Sequence, residues 1–143
     1  MTSQQTVAVT CATGNQGTLP LLLERCNVEL TNSRFEGRSV TLALAKAGYQ
    51  VRALTRSPDS APAETLFDGI SNVKLCKADY NDIASIKKAF EGVDIVFANT
   101  VPDFNELVAP PGTDYKRADI DEYEQGKRYA DAAKSQGVKL FVW

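Results

Sequence analysis

The sequence predicts an α/β domain on a doubly wound parallel sheet, with about five strands in order 3-2-1-4-5. Three observations predict it. Short apolar runs alternate with helical patterns along the chain, which is the signature of βαβ units. Crossovers between parallel strands are right-handed, so few topologies remain. A glycine-bearing turn, Gly14-Asn15-Gln16-Gly17, directly follows the first run. Sheets of this kind bind ligands beyond the carboxyl ends of their strands, where such a turn lies.

Taken in order, Val7–Cys11 is the first strand. Gly37–Ala47 carries apolar residues at Val40, Leu42, Ala43, Leu44 and Ala45, then stops at Gly48, and reads as a buried helix. Tyr49–Arg56 is the second strand. The stretch from Ser57 to Gly69 holds a loop and a short helix, with Pro62 suited to the first turn. Val73–Ala78 is the third strand. Asp82 caps a helix whose apolar face carries Ile83, Ile86 and Phe90 and which ends at Gly92. Val93–Thr100 is the fourth strand, Glu122–Gly137 a longer helix, and Val138–Trp143 the fifth strand.

At 143 residues, 43% hydrophobic and 24% charged, the chain can bury the core of one modest domain. A net charge of −2 gives no reason to expect direct nucleic-acid contact or an anionic membrane surface. No apolar run is long enough to span a membrane, and the N-terminus lacks a signal-peptide pattern. Cytosol or nucleus is therefore the expected compartment. With no histidine, His general-base chemistry and His metal ligands are excluded. Cys11, Cys26 and Cys76 form no CxxC, and read as reduced thiols rather than a disulfide framework or a metal site.

The turn has the pattern Cys11-x-x-Gly14-x-x-Gly17, with cysteine where a GxxGxxG turn has its first glycine. Glycines there let backbone N–H groups approach a pyrophosphate, and the next helix adds its positive dipole end. Alone, the pattern also fits an ordinary strand–helix turn. The second strand ends in Arg56, where NAD-preferring folds carry an acidic residue. A guanidinium there suits a phosphate, so NADP is preferred and NAD is the second choice; a solvated strand-end arginine is the plainer reading. Asp79 and Tyr80 follow the third strand, beside the adenine or simply in a capping loop. Asn99 and Thr100 end the fourth strand, on the nicotinamide side or as a polar terminus. Arg38 opens the helix whose N-terminus must face the pyrophosphate.

The stretches VAVTCATGNQG, GRSVTLALAKAGYQVRALTRSP, KADYNDIASIKKAFEGVDIVFANT and EYEQGKRYADAAKSQGVKLFVW resemble the N-terminal half of NmrA-like proteins. These form the atypical short-chain dehydrogenase branch that includes isoflavone-reductase-like enzymes. The resemblance implies a Rossmann fold with an NAD(P) site. It implies a loop at Gly14, Asn15, Gln16 and Gly17, a 2′-phosphate residue at Arg56, and adenine-side residues at Asp79 and Tyr80. Some members are reductases; others act as nucleotide-sensing partners of transcription factors. Tyr123 and Lys127 have the Tyr-x-x-x-Lys spacing of dehydrogenase catalytic pairs. They precede the fifth strand, whereas the catalytic pair follows it, so the match reads as a solvated helix face. No catalytic residue is assigned.

Three departures from the family pattern stand out: Cys11, a chain ending at Trp143 before the expected substrate-binding part, and the segment 18–37. Deleting that segment restores the family pattern without a gap, so it reads as an insertion, as a translated in-frame intron would leave. The other reading is a surface loop with its own short helix, LPLLLER; uninterrupted loops of this length are uncommon in compact domains. Either Gly17 or Gly37 can serve as the last loop glycine. The expectation is then one NAD(P)-binding domain, 1–143, incomplete at its C-terminus. Three functions follow: a nucleotide-sensing regulator, which the missing catalytic group favours; the cofactor half of an NADP-dependent oxidoreductase; or a non-functional truncated product.

Overall fold

Alternation along the first strand sets the architecture. In β1 (Thr6–Val9), Val7 and Val9 join one buried cluster and Ala8 joins another. Both faces are covered, as a parallel sheet between helical layers requires. The computed structural model describes residues 4–13, 33–100 and 122–143. After β1 come α1 (Ser33–Lys46), β2 (Gln50–Thr55), α2 (Ala61–Leu66), β3 (Val73–Lys77) and α3 (Ile83–Phe90). β4 (Ile95–Phe97), α4 (Glu122–Ser135) and β5 (Leu140–Val142) complete the order.

The strands form one parallel sheet in the order β3-β2-β1-β4-β5, as the sequence predicts. Val7 lies opposite Val51 on one side and Ile95 on the other; Ala53 pairs with Leu75 and Val96 with Phe141. One face buries Val7, Val9, Val51 and Ala53 with Ala45 and Phe67, and Val40, Leu42 and Leu44 of α1 pack against it. The opposite face buries Ala8, Leu54 and Val96 under Ile86, Ala89 and Phe90 of α3 and Tyr129, Ala132 and Ala133 of α4.

Helix ends follow local chemistry. The Asp82 carboxylate accepts from the Ala84 N–H at 3.0 Å, capping α3. At the other end of α3, Arg52 Nη1 donates to the carbonyls of Ala89 and Glu91 at 2.9 and 2.7 Å. A cation there complements the negative end of the helix dipole. Pro62 sits in the first turn of α2. Asp94 accepts from the Thr6 N–H at 3.0 Å and from Lys139 Nζ at 2.7 Å, tying the entry of β1 to that of β5.

Three elements differ from the sequence reading. β1 stops at Val9, and Thr10–Thr13 form a turn. α1 begins at Ser33, four residues before Gly37, so the end of the segment read as an insertion belongs to this helix. Glycine is a poor interior helix residue, which made Gly37 look like a boundary. Ile83 is 40% exposed, because it opens α3 ahead of the packed stretch Ile86–Phe90. Among the described residues no helix is long and apolar enough to cross a membrane.

Candidate functional site

The turn after β1 is built from two backbones in close contact. Cys11 has φ +52°, a left-handed conformation that suits glycine and costs other residues about 1–2 kcal/mol. A Cβ on Gly37 would lie 2.5 Å from the Cys11 carbonyl oxygen and 3.1 Å from the Ala12 Cα. Only glycine lets α1 approach β1 this closely, which is the packing role of the last glycine in a dinucleotide turn. Of the two candidates for that role, Gly37 makes this contact. Gly14, Asn15, Gln16 and Gly17, with 18–32 of the extra segment, lie outside the described residues.

The Cys11 thiol points inward. Its Sγ donates to the Asn99 carbonyl at 3.2 Å. Burial pushes its pKa from 9.0 to about 11, while hydrogen bonds from Thr10 and Tyr129 and the Arg56 charge act the other way. Tyr129, itself buried on α4, is raised above the ordinary tyrosine value by desolvation and by the adjoining Cys11. A neutral thiol over a neutral phenol makes a structural floor beneath the turn, not a nucleophile.

At the ends of β2 and β3 the structure brings Arg56 and Tyr80 together. The guanidinium carbon stands 5.5 Å from the Tyr80 ring centroid, and Nη1 donates to the phenol oxygen at 3.4 Å. Both the ring quadrupole and the hydroxyl hold the cation. Behind them, the Thr13 hydroxyl donates to that of Thr55 at 3.0 Å, and the Ala12 N–H bonds the Leu54 carbonyl at 3.1 Å. Thr55 is buried and Arg56 exposed, so the strand end turns from core to solvent within one residue. Asp79 stands in the turn after β3, where its carboxylate accepts from the Asn81 N–H at 2.9 Å.

At the end of β4, the Thr10 hydroxyl donates to the Asn99 carbonyl at 2.7 Å and accepts from the Asn99 N–H at 2.6 Å. The Thr100 hydroxyl donates to the Glu122 carboxylate at 3.0 Å, joining β4 to the start of α4. Arg38 is exposed in α1, one residue after Gly37. Tyr123 is 70% exposed, and Lys127 pairs with Asp131 at 3.4 Å. Both side chains face solvent on α4.

Cys11, Arg56, Tyr80, Asp79, Asn99 and Thr100 thus all stand at the carboxyl ends of β1 to β4. Sequence reading missed their supports on α4, Arg128 and Tyr129. Arg128 Nη1 donates to the carbonyls of Tyr80 and Asn81 at 3.1 and 3.4 Å. Its only local signal is Glu124, four residues earlier on the same helix face. Among the described residues no cluster of three metal-ligating side chains occurs.

Residues 35–143 match the NmrA-like family model. The NmrA-like family domain-containing oxidoreductase ptmS of Penicillium ochrochloron is 34% identical over 110 residues, 76% of this chain and 30% of that protein. The crystal structure of NmrA, a negative transcriptional regulator, in complex with NAD superposes with a TM-score of 0.62 at 26% identity. The match covers 96% of this chain and 32% of NmrA. The NmrA complex with NADP gives 0.59 at 26% identity, over 94% of this chain and 31% of that one. The chain spans about a third of the length of these relatives. With the family pattern covering everything from α1 to β5, the chain belongs to the NmrA-like family.

Proposed function

We propose that this chain is the dinucleotide-binding part of an NmrA-like protein, that it prefers NADP to NAD, and that it serves as a nucleotide sensor. The observation that carries the reading is Arg56 held on Tyr80 at the ends of β2 and β3. Arg56 takes the 2′-phosphate, and Tyr80 with Asp79 borders the adenine. Gly14, Asn15, Gln16 and Gly17 cradle the pyrophosphate, with Arg38, in the second turn of α1, beside them. Asn99 and Thr100 line the nicotinamide side. Solved NmrA structures contain NAD in one case and NADP in another, which supports a nicotinamide dinucleotide as ligand. The outward-facing Tyr123 and Lys127 support sensing over turnover within this part. A regulatory protein, such as a transcription factor, is the partner such a sensor would take, in the cytosol or nucleus.

The second reading is the cofactor half of an oxidoreductase, and the names of the curated relatives favour it. Titration calorimetry with NADP and NAD tests the first. A charge-assisted contact contributes about 1.5–3 kcal/mol, so Arg56→Ala should weaken NADP roughly tenfold or more and leave NAD little changed. Equal losses for both nucleotides would remove Arg56 from the 2′-phosphate. Turnover by a longer form that carries the substrate-binding part would favour the second reading.

A further inference from the structure

The turn between β3 and α3 bonds three of its backbone donors locally. The Asp79 N–H donates to Ser85 Oγ at 2.9 Å, the Asn81 N–H to Asp79 Oδ1 at 2.9 Å, and the Asp82 N–H to the Asp79 carbonyl at 2.9 Å. The carbonyls of Tyr80 and Asn81 are taken by a single nitrogen from another element, Arg128 Nη1 of α4. Arg128 is only partly exposed, and Glu124 balances its charge at 3.5 Å. One guanidinium nitrogen thus ties two successive carbonyls of the turn to α4.

We infer that Arg128 is a positioning residue for nucleotide choice: it fixes the Tyr80 turn so that the phenol holds Arg56 ready for a 2′-phosphate. The inference rests on the NADP-binding reading above. Arg56 is exposed and long, and a free arginine would lose much rotamer freedom on meeting a phosphate. Held by the Tyr80 ring and hydroxyl, it has lost part of that freedom beforehand, which is how preorganisation raises affinity. The control runs from α4 through the two carbonyls to Tyr80 and then to Arg56.

The test compares Arg128→Met, which keeps an apolar stem but removes the donors, with Arg128→Lys, which keeps one charged donor group. Calorimetric affinities for NADP and NAD are measured in both, and again with Arg56→Ala added. Arg128→Met should lower NADP affinity about threefold to tenfold more than NAD affinity, with Arg128→Lys recovering part of the difference. In the Arg56→Ala background the selectivity change should vanish, because coupled residues are not additive. Equal losses for both nucleotides, or an undiminished selectivity change without Arg56, would overturn the inference. Should wild type bind neither nucleotide, the functional reading fails by itself. The positioning claim is then judged by the NMR shift of the Arg56 Nε–H, which the Tyr80 ring perturbs. Movement of that signal toward the free-arginine value in Arg128→Met supports positioning, and an unmoved signal overturns it.

Discussion

Cys11 meets two opposed demands. Its backbone takes a conformation that glycine adopts freely, while its half-buried thiol bonds the Asn99 carbonyl and adjoins Tyr129. Cys11→Gly relieves the first and sacrifices the second, so its stability should stay within about 1 kcal/mol of wild type. Cys11→Val adds a β-branch at positive φ and loses the bond to Asn99, and should cost about 2 kcal/mol or more in urea unfolding. The same thiol sets an alkaline limit. Its folded pKa of about 11 lies above the ordinary 9.0, so the unfolded chain releases its proton first. The stability tied to the neutral thiol is present below pH 9 and is lost as pH rises from 9 to 11. That loss is about 2 kcal/mol. Cys76, raised by burial, acts in the same direction. Unfolding at pH 8 and pH 10.5 should show the loss, and Cys11→Gly should reduce it; an equal loss in that variant would place its origin elsewhere. The cysteine-for-glycine exchange was legible in the turn pattern, but its partner Tyr129 was not, since nothing local links the two positions.

Among the elements, α1 is where sequence and structure part most. Its apolar positions from Val40 to Ala45 were legible, because a helix packed on a sheet repeats its buried residues. Its start was not, because a glycine inside a helix looks like an end until the close approach to Cys11 is seen. That approach bears on the extra segment. Removing Thr18–Gly37 joins Gly17 to Arg38; removing Gly17–Glu36 joins Gln16 to Gly37. The two products are the same polypeptide, with one glycine before Arg38 in either case. The shortened chain therefore keeps the residue that packs on Cys11. Closing a loop of this length costs roughly a few kcal/mol and grows only logarithmically, so the full-length chain can fold around it. The helix dipole, however, acts only within its first turn, so direct connection to the glycine turn should help the anion site. We expect the shortened chain to bind NADP more tightly and to be more soluble. Weaker binding or unfolding on deletion would make 18–37 an integral part of the domain.

For the whole molecule, topology was the most legible property. Alternating strands and helices with right-handed crossovers leave little choice, and the order 3-2-1-4-5 followed before any contact was known. That order also fixes which end of the sheet takes ligands, so Arg56, Tyr80 and Asn99 could be picked out as strand-end residues. What holds them, the Arg128 and Tyr129 side chains, comes from a helix that only the completed fold brings alongside. The same helix meets the end of the chain at Gly126, where an added Cβ would overlap the Trp143 ring. Trp143 is the single tryptophan, and it is 64% exposed although it rests on Gly126. Its light emission therefore reports one thing: whether α4 and β5 are docked. Gly126→Ala should push the ring into water and shift that emission to longer wavelength, whereas an unshifted spectrum would mean the ring does not rest there in solution. During unfolding, the indole signal follows the β5 edge, while the part of the five-tyrosine absorption that is lost in Tyr80→Phe follows the β3 edge. If the two traces separate, the sheet comes apart from one edge, and the order of their midpoints tells which edge goes first.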